Sequence, residues 1–393
     1  MKILKTSLAI LIIVLSNNLL QAQWFLQSTG TTETIYSIFP VNANTVFAFG
    51  SGGVALRTTD GGSNWVTTNI GVTNDLLGSY FLNSNTGWVV GVGGVLFKTT
   101  DGGASWVQKN TGTTSILYRV EFVNENVGWL CGVSGIIKKT TDGGENWTSQ
   151  SAITGEITVL GFVNETIGWT AGQSGRIAKT TDGGASWINQ NQSYSSWLID
   201  RSFLNENVGW MCGREQAIIK TVDGGATWNP LFSSGPYQFN SVCFVNENIG
   251  WVLTSHRYYM KTINGGYNWH IDSLENVGRM VRFVDENTGW MTGYEGAIYK
   301  TTNGGISSTA DNLIEDQFFI YPNPAAYVIN LTIDDPSLTD LTLNIYSLTG
   351  RILKSELLEQ NQKQIDIGDL RKGIYLIELK SKERTKTQKL IIQ

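Results

Sequence analysis

The side chains of this 393-residue chain that could do chemistry fall into three groups. The first is Asp60, Asp101, Asp142, Asp182, Asp223, Asn264 and Asn303, each two residues after a Thr and just before a Gly-Gly pair. A carboxylate in that place can hold calcium or accept backbone N–H groups of its own turn. One carboxylate per turn falls short of the about six to eight oxygens that calcium takes, so the expected role is to brace a turn whose glycines take positive φ. The second group is Trp197, Arg214, His256, Arg257, Tyr258 and Tyr294, large aromatic and cationic residues in otherwise small, Gly-rich turns. Such residues on rigidly held loops suit ligand recognition by stacking and hydrogen bonding. The third is Arg119, Asp200 and Arg282, with Glu121, Ser202 and Ser241, at alternating positions of short apolar runs. Catalytic material is sparse: there are two histidines, His256 and His270, too few for most His-based acid–base schemes. Cys131, Cys212 and Cys243 lack C-x-x-C spacing, which argues against a disulfide framework and a zinc site and leaves them as buried apolar residues. No catalytic residue, metal or cofactor is expected.

The elements that must position these residues follow from a repeat. T-x-D-G-G-x-x-W runs from Thr58 to Trp65 and recurs at Thr99, Thr140, Thr180 and Thr221; a variant with Asn264 ends at Trp269, and the last, around Asn303, has no Trp after it. The Asp or Asn positions are 41, 41, 40, 41, 41 and 39 residues apart. Units of that length fit four short strands, the dimension of a propeller blade. Each unit has an apolar strand A, a polar N-E-N-type turn, and a strand B opening on Gly-Trp, as at Gly87-Trp88 and Gly128-Trp129. A Gly-rich turn such as Gly132-Val133-Ser134-Gly135 then leads to strand C, the box and strand D. The recurring Trp residues supply the apolar area that packs blade on blade. Trp24 to Thr32 matches Trp106 to Thr114, a strand D with no box before it, while the seventh box has no strand D after it. Circular closure is therefore expected, the first strand completing the last blade.

In this architecture the A–B and C–D turns share one face, with the boxes. The B–C turns and D–A connections share the other, and there the sequence stops repeating. The later B–C turns carry Arg214, His256, Arg257, Tyr258 and Tyr294, and the D–A connections add Tyr194, Trp197, Tyr237 and Phe239. Trp197 is the one Trp of 14 outside the repeat template. Arg119, Asp200 and Arg282 fall on innermost strands, where they either line the central opening or pair across blades.

Bulk properties agree. Charged residues make up 16% of the chain and Gly numbers 44, a composition of short strands and tight turns. A formal charge of −5 gives no basic field for nucleic acid. Residues 1–22 read as a signal peptide, with Lys2 and Lys5 before the apolar run Leu8 to Leu15 and Ala22 at the cut. That run is shorter than the ~20 residues a membrane-crossing helix needs, and no later segment has that character. After the propeller at 23–305, residues 306–317 read as a linker, and 318–393 alternates apolar and polar residues in short runs. The fold class is all-β: a seven-bladed β-propeller followed by a small β-sandwich domain.

The boxes resemble the Asp-box, or BNR, repeat of sialidases, sortilin-type receptors and photosystem II assembly and stability factors. The Gly-Trp pairs, the G-x-x-G turns and Lys98 to Gly103 look nearest the last of these, which implies a non-enzymatic propeller. Sialidases need an arginine triad, a tyrosine nucleophile and an acid; no such set is apparent, so a glycosidase is the alternative reading. The C-terminal stretch resembles the type A sorting domain of the Bacteroidetes type IX secretion system. Its landmarks are Tyr321-Pro322-Asn323-Pro324, Ile345 to Arg351, Ile365-Asp366-Ile367, Leu370 to Tyr375 and Lys389 to Ile392. The resemblance implies a module read by the secretion machinery, and a protein secreted or held at the cell surface after crossing the periplasm. A monomer that binds a surface glycan or protein through its propeller is the expectation.

Overall fold

A computed structural model of the chain describes residues 24–190, 195–215, 217–231, 238–305, 318–321, 325–333, 341–358, 364–380 and 385–392. The signal-peptide and linker assignments, together with Tyr194, Tyr237 and the Pro322-Asn323-Pro324 landmark, lie outside these residues. Within them, residues 24–305 form seven four-stranded antiparallel sheets, and the later residues form a three-stranded and a four-stranded sheet.

Blade 1 shows how a repeat becomes a blade. Strand A, Ile35–Pro40, pairs with Val46–Gly50; that strand pairs with Ala55–Thr58, and the last pair is with the two-residue outer strand Val66–Thr67. The A–B connection is pinned by Asn42, whose Oδ1 accepts the N–H groups of Asn44 and Thr45 at 2.9 and 2.8 Å. The equivalent Asn124, Asn164, Asn205 and Asn246 do the same. Strand B is buried along its length in every blade. The box Trp stands one residue ahead of the described strand D, not on it.

Packing between blades is built from three repeated residues. The strand B tryptophans Trp88, Trp129, Trp169, Trp210 and Trp251 are fully buried, and each stacks on the last Phe of the next blade's strand A, at centroid distances of 3.5–4.4 Å. Phe47 takes this role in blade 1, 3.8 Å from Phe81. Each of the five indole N–H groups donates to the first box-glycine carbonyl of the next blade, as Trp88 does to Gly143 at 3.2 Å. On the other ring face lies the Lys that precedes the box Thr, as with Lys98 over Trp88 at 5.2 Å. The junction of blades 7 and 1 departs from this scheme: Pro40 replaces the Phe, and the buried Trp290 Nε1 has no acceptor among the described residues.

The ring closes as the sequence implied. Phe25 and Leu26 pair with Lys300 and Tyr299, making the first strand the outer strand of the last blade. Trp24 sits edge-on to Tyr259 and Phe283, at 5.8 and 5.7 Å. In the C-terminal module the four-stranded sheet runs in the order Ile352–Leu357, Thr342–Ser347, Gly373–Lys380, Thr385–Ile392. The three-stranded sheet is Phe318–Tyr321, Val328–Ile333, Gln364–Asp366. Ile329, Leu331, Leu343, Ile345, Ile365, Ile377 and Leu390 pack together as its core. Among the described residues no helix is long and apolar enough to cross a membrane.

Candidate binding face and central ion cluster

The box side chains are engaged in their own turns. Asp60 Oδ1 accepts the Thr58 hydroxyl at 2.8 Å and the Asn64 N–H at 2.9 Å, and Oδ2 accepts the Asn64 amide at 2.7 Å. The Thr58 hydroxyl oxygen in turn accepts the Gly62 N–H at 2.9 Å. Asp101, Asp142, Asp182 and Asp223 repeat this pattern. Asn264 keeps the Oδ1 contacts without a charge, while Asn303 Oδ1 takes the Thr301 hydroxyl and the Gly305 N–H. Hydrogen bonds from the residue four positions on hold the Asp60, Asp101, Asp142 and Asp182 carboxyls down to about 2. Both box glycines sit at positive φ, 71° and 96° for Gly61 and Gly62. No group of three or more His, Cys, Asp or Glu placed to hold a metal occurs among the described residues.

The opposite face is organised by a β-bulge that recurs in all seven innermost strands, where the register skips one residue. The skipped residues are Tyr36, Leu77, Tyr118, Thr158, Ile199, Asn240 and Arg279, and five of them reach the neighbouring blade. Tyr36 OH points to Asp75 and Tyr118 OH to Glu156, each at 3.5 Å; Thr158 Oγ1 accepts Trp197 Nε1–H at 3.2 Å; Asn240 Nδ2 donates to the Gly278 carbonyl at 2.9 Å. Arg279 reaches across the closing junction, its guanidinium between the rings of Tyr36 and Tyr294 at 4.9 and 5.2 Å, and it also donates to Tyr294 OH at 3.2 Å. Partial burial and the nearby Asp75 carboxylate raise the Tyr36 phenol above its usual value.

Trp197 is half-buried at this rim, with the Arg214 guanidinium 4.5 Å over its ring and its carbonyl accepting the Arg214 N–H at 2.9 Å. Tyr294 is 43% exposed, and His256 and Arg257 are exposed on one B–C turn; Tyr258, 39% exposed, opens strand C and so does not lie in that turn as expected, because its backbone already pairs with Ser273 of the outer strand. Thus Trp197 joins Arg214, Tyr294 joins Arg279 and Tyr36, and His256 and Arg257 share a turn beside Tyr258, which belongs to strand C. Phe239 does not belong on this surface: it is the first residue of an inner strand and fully buried, because the D–A connection ends before it. Tyr36 and Arg279 were missed because a bulge residue keeps no parity with its strand.

The central residues form one network across the ring. Asp200 is fully buried; Arg282 grips it with Nη1 on Oδ2 at 3.0 Å and Nη2 on Oδ1 at 3.1 Å. Arg119 Nη2 donates to Oδ1 at 3.3 Å, and Oδ2 also accepts the Ser241 hydroxyl at 2.6 Å and the Val242 N–H at 3.1 Å. Arg201 lies 4.0 Å from Asp200 and pairs with Glu121 at 2.8 Å. Burial alone would raise the Asp200 carboxyl, but Arg282 and Arg119 outweigh it and hold the group well below the usual carboxylate range. Three guanidinium groups against two carboxylates leave one net positive charge, at a cavity of 240 Å³ lined by inner strands of all seven blades. Asp200 is thus an internal anchor, not an open lining residue. Arg201 escaped the alternation count, having the opposite parity to Asp200, and no local signal marks its partner 80 residues away. Cys131, Cys212 and Cys243 are buried free thiols, and burial pushes all three up.

Comparison with known proteins fits this architecture. The family described as photosynthesis system II assembly factor YCF48 matches three times, over residues 16–111, 106–194 and 186–317. The secretion system C-terminal sorting domain matches residues 319–393. No curated protein sequence matches the chain. Among solved structures, YCF48 bound to D1 peptide aligns with a TM-score of 0.62 at 19% identity, covering 71% of this chain and 95% of that one. YCF48 from Cyanidioschyzon merolae gives 0.60 at 19% identity, covering 71% and 98%. The WD40 propeller domain of Doa1 gives 0.62 at 10% identity, covering 71% and 96%, a likeness of fold alone. The type IX sorting domain directs the protein to export, and so to the cell surface or the medium. The chain belongs to the YCF48-type family of Asp-box propellers and carries at its C-terminus the sorting domain of a secretion system.

Proposed function

We propose that the protein is a non-catalytic binding scaffold, displayed at the cell surface or secreted, whose divergent rim holds a glycan or protein ligand. The observation that carries this reading is the pair of aromatic–guanidinium stacks at the rim, Trp197 with Arg214 and Tyr36 with Arg279 and Tyr294. Stacking fixes a guanidinium while leaving its N–H edge for an acceptor, and the rings offer flat apolar area for a sugar or a side chain. The central arginines are bound to Asp200 and Glu121, so the cluster reads as structural and the rim as the free chemistry. One structural neighbour is a complex with a D1 peptide, a precedent for a peptide on this fold. The same rim residues do not supply an acid, a base and a nucleophile in contact, which favours binding over glycoside hydrolysis.

A glycan array probed with the full chain, beside its Trp197→Ala variant, tests the reading. A specific hit that the variant loses without a fall in melting temperature supports a lectin-like surface. Hydrolysis of that glycan would instead establish the glycosidase alternative. A blank array moves the search to protein partners, and a hit that survives loss of Trp197, Arg214 and Tyr294 together removes the rim from the account.

A further inference from the structure

We propose that two copies of this chain associate through the strand Ile352–Leu357 of the C-terminal module, pairing it with itself about a two-fold axis at Ser355. The sequence alone suggested a monomer. This strand is the edge of the four-stranded sheet, and among the described residues nothing pairs with its outer side. The ladder fixes which groups face outward. Leu358 N–H donates to the Leu341 carbonyl, and Leu343 pairs with Glu356 and Ile345 with Lys354. Antiparallel alternation then turns the N–H and C=O of Ser355 and Leu357 away from the sheet.

The strand reads Ile352-Leu353-Lys354-Ser355-Glu356-Leu357, with its charges placed symmetrically about Ser355. An antiparallel second copy centred there makes reciprocal N–H to C=O bonds between the two Ser355 residues. It sets Lys354 opposite Glu356 of the second copy, and Glu356 opposite its Lys354. These fall at non-hydrogen-bonded sites, where cross-strand side chains lie closest and opposite charges favour pairing. Lys354 Nζ donates to the Asp366 carbonyl at 2.6 Å and keeps two further N–H groups. A lone Lys would simply blunt the edge; followed two residues on by Glu, it rejects most strands and complements its own. Apolar exposure clusters here as well: Leu357 is 68% exposed, Leu348 in the adjoining turn 75%, and Ile352 and Leu353 are exposed beside them. Pairing sets Leu357 against Leu353 of the second copy and covers both. The bulge at Leu353 adds twist to the joined sheet, and the contact is isologous and closed, so it ends at two copies.

The test is the mass of the full chain by analytical ultracentrifugation up to about 100 µM, where a micromolar dissociation constant is saturated. Wild type is expected to be dimeric. Lys354→Glu, which puts like charges opposite each other at both sites, is expected to weaken the dimer at least about tenfold. The swap Lys354→Glu/Glu356→Lys restores complementarity and is expected to recover it. Ser355→Pro removes an outward N–H that the monomer does not use and is expected to give a monomer whose melting temperature equals that of wild type diluted below its dissociation constant. A wild-type monomer at the highest concentration overturns the proposal and leaves the edge to a strand of another protein. A dimer indifferent to both the charge reversal and Ser355→Pro overturns it equally.

Discussion

Replacing Asp200 by Asn leaves the guanidinium groups of Arg282 and Arg119 buried against a neutral side chain. The carboxylate has no exposure, and it accepts two bonds from Arg282, one from Arg119, one from Ser241 and one from the Val242 backbone. Removing one partner of a buried ion pair costs about 3–5 kcal/mol, most of it the penalty of the stranded charge. For a domain of this size about 2 °C accompanies each kcal/mol, so the melting temperature should fall by roughly 6–10 °C. Calorimetry of the full chain, following the propeller transition, is the assay. Because the loss comes from an uncompensated cation, Arg282→Met added to Asp200→Asn should recover part of it, a favourable coupling of about 1–3 kcal/mol. A fall of less than about 2 °C, or losses that simply add, would refute the view that this cluster ties blades 3, 5, 6 and 7 across the ring.

Other consequences concern the seam, the boxes, acid and the rim. Trp24→Ala removes the edge contacts to Tyr259 and Phe283 and should destabilise the propeller by about 3 kcal/mol, read as a lowered urea midpoint. Asp101→Asn should lower the melting temperature modestly, since it keeps the Oδ1 contacts that Asn264 makes but loses the charge and the acceptor for the Ser105 hydroxyl, whereas Asp101→Ala should lower it further. The folded-state pKa is depressed at Asp60, Asp101, Asp142, Asp182 and Asp200, so their stabilisation is complete above the unfolded value near ~3.9 and fades as pH falls below it. Melting temperatures should therefore be flat from about pH 5 upward for this contribution and drop between about pH 4 and 2; a flat profile through that range would contradict the assignment.

How much of this was legible in the sequence depends on whether the information is local. A box works through residues within four positions of its Asp, so Thr, Asp and the glycines announce themselves wherever they recur. The Trp of strand B is equally visible, because each blade needs the same apolar wedge, and the unmatched strand at Trp24 disclosed the closure. Phe239 was misplaced because the sequence does not show where a connection ends and an inner strand begins. The pairing of Arg201 with Glu121 spans 80 residues, and Tyr36 meets Arg279 through a bulge at the two ends of the ring. Such contacts arise only when the ring brings distant repeats together, and no spacing rule records them.

The central claim is that the rim bearing Trp197, Arg214 and Tyr294 faces the ligand while the Asp-box face does not. Site-specific photo-crosslinking on intact cells tests it most directly, with the reactive residue placed at Tyr294 in one protein and at Ser105, beside the box Asp101, in another. Discrete adducts from position 294 and none from position 105 are the predicted result. Adducts from position 105 alone would place recognition on the box face and contradict the account.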